Sequence, residues 1–328
     1  MRLERGTVLR AAVGVAVSAI AIAVLLTAVD LRRAAAVLSQ ASPAWIGVML
    51  VTVSLDLTAR SARWRVLLAP IAKVPLRRVA GYTLIGYLAN NALPARLGEL
   101  VRVHVLGERE GLSRPTVLGT VVVERISDTV LVVLLAAGAI GVLSVRGIVR
   151  EAVAVGAAFA ALLIVGLAVL VLAHRWPGAD RAAGWLARWP VVVEIGRRLR
   201  EGLAIAGRPR TIAAAVAVGI LAWMASIGTF LAAGQAIGIE LALSEAALLC
   251  SGVALATIVP SGPGYLGTFE LTAVGIGATL GIGEDEAFAL ALLVHALVLA
   301  VTSIGGAVAF VRMGLGSGRV ARSAPEEA

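Results

Sequence analysis

The sequence predicts an all-α polytopic membrane protein with about six full spans, two broken or re-entrant helical hairpins and an inverted repeat. Three observations lead there. Hydrophobic residues make up 59% of the 328-residue chain and charged residues 15%, with a mean hydropathy of +0.95, a balance that does not fit a soluble domain. The apolar residues gather in runs, several near the ~20 residues that cross a bilayer as a helix. The basic residues that give the net charge of +9 sit in short stretches between those runs. Arg dominates, with Lys73 the one lysine among 29 basic residues. That charge would also suit nucleic acid, but its placement between apolar runs is a topology signal, and no nucleic-acid motif is present.

The first run, residues 11–28, follows Arg2, Arg5 and Arg10 and fits either a signal peptide or a spanning helix. Its length favours the helix over a signal h-region of ~7–15 residues. A second run, 44–59, is interrupted by Asp56 and ends at Arg60, Arg63, Arg65, Lys73, Arg77 and Arg78, which mark a cytoplasmic edge. Residues 79–93 are apolar but stop at Pro94, too short to cross comfortably. Further runs cover 115–145, 152–174, 211–233, 246–259, 266–280 and 287–311. Together they predict one membrane domain, residues 1–312, followed by a disordered cytoplasmic tail, 313–328.

Between the runs, residues 175–210 hold eight Arg together with Trp176, Trp185 and Trp189. Aromatic residues interleaved with Arg favour a segment lying on the membrane surface over a plain solvated linker. The stretches assigned outside carry Arg32, Arg33, Arg146 and Arg150, then only Glu240, Glu245, Glu284, Asp285 and Glu286. Both termini are therefore expected in the cytoplasm. Cys250 is the single cysteine, which excludes an intrachain disulfide and a Cys-based metal cluster.

Two segments interrupt apolar helix. One runs Asn90, Asn91, Ala92, Leu93, Pro94, Ala95, Arg96, Leu97, Gly98, Glu99, entering from the basic side. The other runs from Val259 through Pro260, Ser261, Gly262, Pro263, Gly264, Tyr265, Leu266 and Gly267 to Glu270, entering from outside. Each contains Pro, then Leu-Gly, then Glu. A helix begins at a similar distance after each, near Pro115 and Asp285, and ten positions further stand Arg125 and His295. Ten residues of helix rise about 15 Å, half the hydrocarbon thickness. Matched broken helices of opposite entry are expected around a transporter's central site. Freed backbone groups at that depth need protein or a polar cavity as partner; a Pro kink satisfied by neighbouring helices is the bland alternative.

Charges inside the apolar runs are costly and therefore usually paired and interior. Asp56 and Arg60, spaced i and i+4, are expected to pair near the cytoplasmic edge. Glu124 and Asp128 share a face with Arg125 beside them, and this trio is the strongest site candidate. Arg96, Glu99 and Arg102 follow the first break at intervals of three, along one side of a helix. A guanidinium fork is suited to phosphate, although Glu99 and Glu124 could equally serve only to neutralise Arg125 and Arg102. His295, alone in an apolar helix, more often packs than binds, and only the repeat raises its standing.

The stretch NALPARLGELVRVHVL from Asn91, the ERISD of Glu124 to Asp128, the VPSGPGYLGTFE of Val259 to Glu270 and the RWRVLL of Arg63 to Leu68 resemble the flippase-like family that includes the lysylphosphatidylglycerol synthase transmembrane region. The resemblance covers residues from about 10 to 312. It implies a membrane domain with re-entrant helices, associated with moving aminoacylated phospholipids or lipid-linked sugars between leaflets of the bacterial inner membrane. Carried over by position, it implies a headgroup site at Asn90, Arg96, Glu99, Arg102, Glu124, Arg125, Asp128, Glu270 and His295. It implies helix breaks at Pro94, Gly98, Pro260, Ser261, Pro263, Gly264 and Gly267. Relatives carry Arg where His295 stands, so a titratable group replaces a fixed charge there, which puts phosphate binding at that position in doubt.

Full-length synthases add a soluble aminoacyl-transferase domain that this sequence does not contain. With no Gly-rich phosphate loop, no metal cluster among His104, His174 and His295, and no Ser-His-Asp set, a non-enzyme without cofactor is expected. Three readings follow: a lipid translocase, a scaffold presenting lipid-linked precursors to a separate glycosyltransferase or synthase, and a membrane-embedded enzyme. Membrane lipids are the expected partners of the first.

Overall fold

The computed structural model describes residues 5–93, 97–143, 147–172, 190–257 and 261–315. Pro94, Arg96 and Pro260, the three Trp of the Arg-rich segment, and the tail from 316 lie outside the described residues.

Among the described residues the regular structure is helical throughout, as an apolar environment requires, because helices satisfy their own backbone hydrogen bonds. The order is α1 (Arg5–Ala28), α2 (Leu31–Ser39), α3 (Pro43–Leu68), α4 (Leu76–Ala92), α5 (Gly98–Arg109), α6 (Arg114–Leu143) and α7 (Ile148–Leu172). It continues with α8 (Pro190–Leu203), α9 (Pro209–Ala236), α10 (Leu243–Ala256), α11 (Thr268–Thr279) and α12 (Glu284–Arg312). Single 3₁₀ turns lie at Ala204–Gly207 and Pro263–Tyr265. The protein is an all-α polytopic membrane protein. Five helices, α3, α6, α7, α9 and α12, are long and apolar enough to cross a bilayer, and α1 with α2, bent by 85°, makes up to six.

Local sequence explains the boundaries. Pro43 and Pro209 stand in the first turns of α3 and α9, where a missing N–H costs nothing. Asp30 caps α2 by accepting from the N–H groups of Arg32 and Arg33, and its own N–H donates to Asp285 Oδ1 at 2.7 Å, tying the α1–α2 bend to the start of α12. In α8, Arg197 and Arg198 hold the Glu194 carboxyl well below the usual range, while Leu203 is buried. This is the amphipathic pattern expected of the Arg-rich segment, and α8 packs against α6.

α9 runs alongside α3, α12 packs against α4, and α10 packs against α6. One apolar cluster, including Met49, Trp223, Leu248 and Leu290, joins α3, α9, α10 and α12. A second, including Trp64, Tyr82, Leu106 and Val117, joins α3, α4, α5 and α6.

Both interrupted segments turn back as helical hairpins, α4 with α5 and α10 with α11. At the first, the Gly98 N–H donates to Asn90 Oδ1 at 2.7 Å. A Cβ on Gly98 would collide with the Gly86 carbonyl and the Asn90 side chain, so glycine is what lets α5 fold against α4. At the second, the Gly262 N–H donates to Ser18 Oγ of α1 at 2.9 Å, and Gly264, Tyr265 and Gly267 all have positive φ. The Pro263–Tyr265 turn packs on α4, so the two breaks meet. Asn91 Nδ2 adds hydrogen bonds to Thr302 Oγ1 (2.9 Å) and Ser303 Oγ (3.0 Å) of α12.

Candidate functional site

Helical spacing assembles the site. Asp56, Arg60 and Arg63 stand at i, i+4 and i+7 and share one face of α3, and Glu124 and Asp128 share a face of α6. Trp223 and Ser226 do so on α9. These faces converge on a network of charges.

Glu124 sits at its centre. Its Oε1 accepts from Arg125 Nη2 at 2.5 Å and from Arg63 Nη2 at 3.3 Å, and its Oε2 accepts from Arg102 Nη2 at 3.1 Å. Asp128 receives Arg63 Nη1 (2.8 Å) and Trp223 Nε1 (3.0 Å), with Arg60 and Arg125 each 3.5 Å away. Asp56 binds Arg60 Nε through both oxygens, at 2.8 and 2.9 Å, and accepts from Ser226 Oγ at 3.0 Å. Trp rings cover two of the cations: Arg102 lies 4.5 Å from the Trp64 ring centre and Arg60 5.0 Å from that of Trp223.

Burial divides this network in two. The Arg63 side chain is 0% exposed, Glu124 2% and Arg102 7%. They brace α3, α5 and α6. The Arg125 side chain is 34% exposed. It borders a cavity of about 570 Å³ together with Asp56, Arg60, Asn90, Glu99 and Asp128. Tyr87, Asn91 and Tyr265 add polar groups, and Phe159, Phe230 and Phe269 are among the apolar lining. Arg125 Nε has no hydrogen-bond partner among the described residues. Glu99 receives one long hydrogen bond, 3.5 Å from Asn90 Nδ2, and no ion pair with it is found among the described residues. With Glu99 included, four guanidiniums face four carboxylates, so the site can meet a group carrying charge of either sign.

The structure brings Asn90, Glu99, Arg102, Glu124, Arg125 and Asp128 into one region of the fold. Asn90 does double service, closing the first break and facing the cavity. Glu270 and His295 stand apart from the cavity lining. Their side chains bind each other, His295 Nδ1 to Glu270 Oε1 at 2.5 Å, and His295 Nε2 donates to the Gly264 carbonyl at 2.7 Å. Arg125 and His295, which the repeat pairs, thus have different surroundings.

Arg60 and Arg63, the first members of the basic cluster read as a cytoplasmic edge, lie inside the protein within α3, which runs on to Leu68. The Asp56–Arg60 pair forms as expected, and it is also part of the cavity wall. Tyr87 and Trp223 drew no notice in the sequence, since a lone aromatic in an apolar helix carries no distinctive signal. The Asp56, Arg60, Arg63 periodicity was the signal that could have found the α3 face. Among the described residues no group of His, Cys, Asp and Glu could hold a metal.

The chain is similar to "Glycosyltransferase AglD" of Haloferax volcanii, 25% identical over 334 residues. That alignment covers 89% of this chain and 53% of the relative, so the chain spans about half the length of the curated relative it matches. Residues 11–306 match the family described as "Lysylphosphatidylglycerol synthase TM region", and the chain belongs to that family.

Proposed function

We propose that the protein moves a lipid headgroup between membrane leaflets, the headgroup passing through the cavity while the acyl chains stay in lipid. The observation that carries this reading is the cavity itself. It combines Arg60, Arg125, Asp128 and Glu99 with aromatic walls among membrane helices, and the two broken hairpins meet beside it. Charged groups at such depth are costly unless they meet a substrate or one another. Arg125 is suited to a lipid phosphate, with Glu99 and Asp128 available to hydroxyl or amino groups of the same headgroup. No nucleotide motif is present, so movement is passive or coupled to an ion gradient. On this reading the protein resides in a bacterial inner membrane with both termini and α8 in the cytoplasm, and performs no covalent step.

Purified protein in liposomes, assayed with leaflet-specific labelling of candidate phospholipids and lipid-linked sugars, tests the proposal. Protein-dependent translocation of at least one class is expected, and a panel without any would overturn it. A second reading is a scaffold that presents a lipid-linked precursor to a separate glycosyltransferase; the relative whose length the chain half covers bears the name of such an enzyme. A lipid that copurifies yet is never translocated would select that reading, and new product by mass spectrometry would select an enzyme.

A further inference from the structure

The His295–Glu270 pair has a proton count fixed by its acceptors. His295 Nε2 lies 2.7 Å from the Gly264 carbonyl oxygen, which can only accept, so Nε2 carries a hydrogen. On the other side of the ring, Nδ1 lies 2.5 Å from Glu270 Oε1. Glu270 Oε2 is already accepting the Gly267 N–H at 2.8 Å. A neutral ring with its hydrogen on Nε2 would turn a bare lone pair on Nδ1 toward a carboxylate. Contact at that distance therefore requires one further proton between Nδ1 and Oε1, whichever atom holds it. The side chains are 4% and 5% exposed, so water does not take its place.

The same three contacts brace a strained stretch of backbone. Gly264 has φ 65°, Tyr265 φ 60° and Gly267 φ 83°, and a non-glycine residue at positive φ is strained. His295 fixes the carbonyl before Tyr265, Glu270 fixes the N–H two residues after it, and Phe269 stacks on the imidazole at 4.2 Å. Tyr265 is the member of this turn that lines the cavity.

We infer that His295 and Glu270 form a buried proton-binding site that latches the second helix break and holds Tyr265 at the cavity wall. Loss of the proton sets a carboxylate against the imidazole lone pair, and the turn is released. Glu270 is the one titratable group hydrogen-bonded to His295 among the described residues. The other elements packed on α11 and α12 bring their charges elsewhere. Asp56 and Arg60 of α3 bind each other at the cavity, and Arg32 and Arg33 of α2 follow Asp30, which is tied to the start of α12 at Asp285. Arg77 and Arg78 open α4, Arg210 opens α9, Glu245 caps α10, and Cys250 faces the cavity. Described side chains of α1 contribute Ser18 but no charge. This inference is independent of what the cavity carries.

Two measurements on the full chain in nanodiscs test it. In a His104→Gln, His174→Gln background, the imidazole nitrogen resonances report His295 alone. At neutral pH they should show Nε2 protonated, with a strongly deshielded proton in the Nδ1–Glu270 hydrogen bond. Glu270→Gln, whose amide donates to Nδ1 without a shared proton, should remove that deshielded signal. A native spectrum without it, or one unchanged in Glu270→Gln, would overturn the proton assignment. Hydrogen exchange of the 264–267 amides at neutral pH, corrected for intrinsic rates, tests the latch. Protection should fall about tenfold in His295→Leu, which removes the pair, while Glu270→Gln, which keeps both hydrogen bonds, stays protected. Equal protection in His295→Leu and the native protein would overturn the latch.

Discussion

Arg63 Nη1 donates to Asp128 Oδ1 at 2.8 Å, joining α3 to α6 across 65 positions of sequence. Arg63 is wholly buried and also binds Glu124, so it stands behind the cavity wall while its partner Asp128 lines it. Removing one partner of a buried ion pair leaves a charge uncompensated and costs about 3–5 kcal/mol. Arg63→Ala should therefore lower the thermal midpoint and yield of monodisperse protein in detergent. Fluorescence-detected size exclusion after heating checks this, and a native-like profile would show that Arg63 is not a brace.

The second break depends on Gly267. Its φ is 83°, and a Cβ there would come within 2.7 Å of Ile22 Cγ1 and 3.0 Å of the Ser18 carbonyl on α1. Gly267→Leu combines a strained backbone, about 1–3 kcal/mol, with a clash against a neighbouring helix. The protein should still insert, since the five long spanning helices are untouched, but translocation should be lost. Normal transport by that variant would show that the break does not need its observed shape.

How far the sequence reaches is clear from these residues. Helix breaks could be read because Pro and Gly act locally, and the charged trio on α6 stood out against Val, Leu and Ala. The burial of Arg60 and Arg63 could not be read because Arg65, Lys73, Arg77 and Arg78 follow closely, so buried and exposed cations merge into one basic cluster. What joins Arg63 to Glu124, or His295 to Glu270, is the packing of helices distant in sequence. No periodicity within one helix can disclose that partner.

Topology is testable at α8. Gly196 is exposed, with nothing within 4 Å of a Cβ placed there, so Gly196→Cys in a Cys250→Ser background should fold unchanged. Eight Arg against Asp180, Glu194 and Glu201 in residues 175–210 predict a cytoplasmic face. An impermeant maleimide should label this cysteine only after cells are opened. Labelling in intact cells would reverse the orientation, and with it the assignment of both termini and the side from which each break enters.

Arg125 separates neutralisation from substrate binding. Its Nη2 binds Glu124 at 2.5 Å, but Glu124 keeps Arg63 and Arg102 when Arg125 is removed, so the brace survives the loss of its most exposed cation. Arg125→Gln should accordingly insert and remain monodisperse. If the guanidinium holds a lipid phosphate, its charge-assisted hydrogen bonds contribute about 1.5–3 kcal/mol, and translocation should fall roughly 10- to 100-fold. The lipid that copurifies should change as well. Adding Glu124→Gln restores formal charge balance, yet it removes the acceptor shared by Arg63 and Arg102. The double variant should thus be less stable than the single one and no more active. Liposome transport and thermal stability, measured on both variants, decide the matter: recovered transport in the double variant would reduce Arg125 to a counter-ion of Glu124.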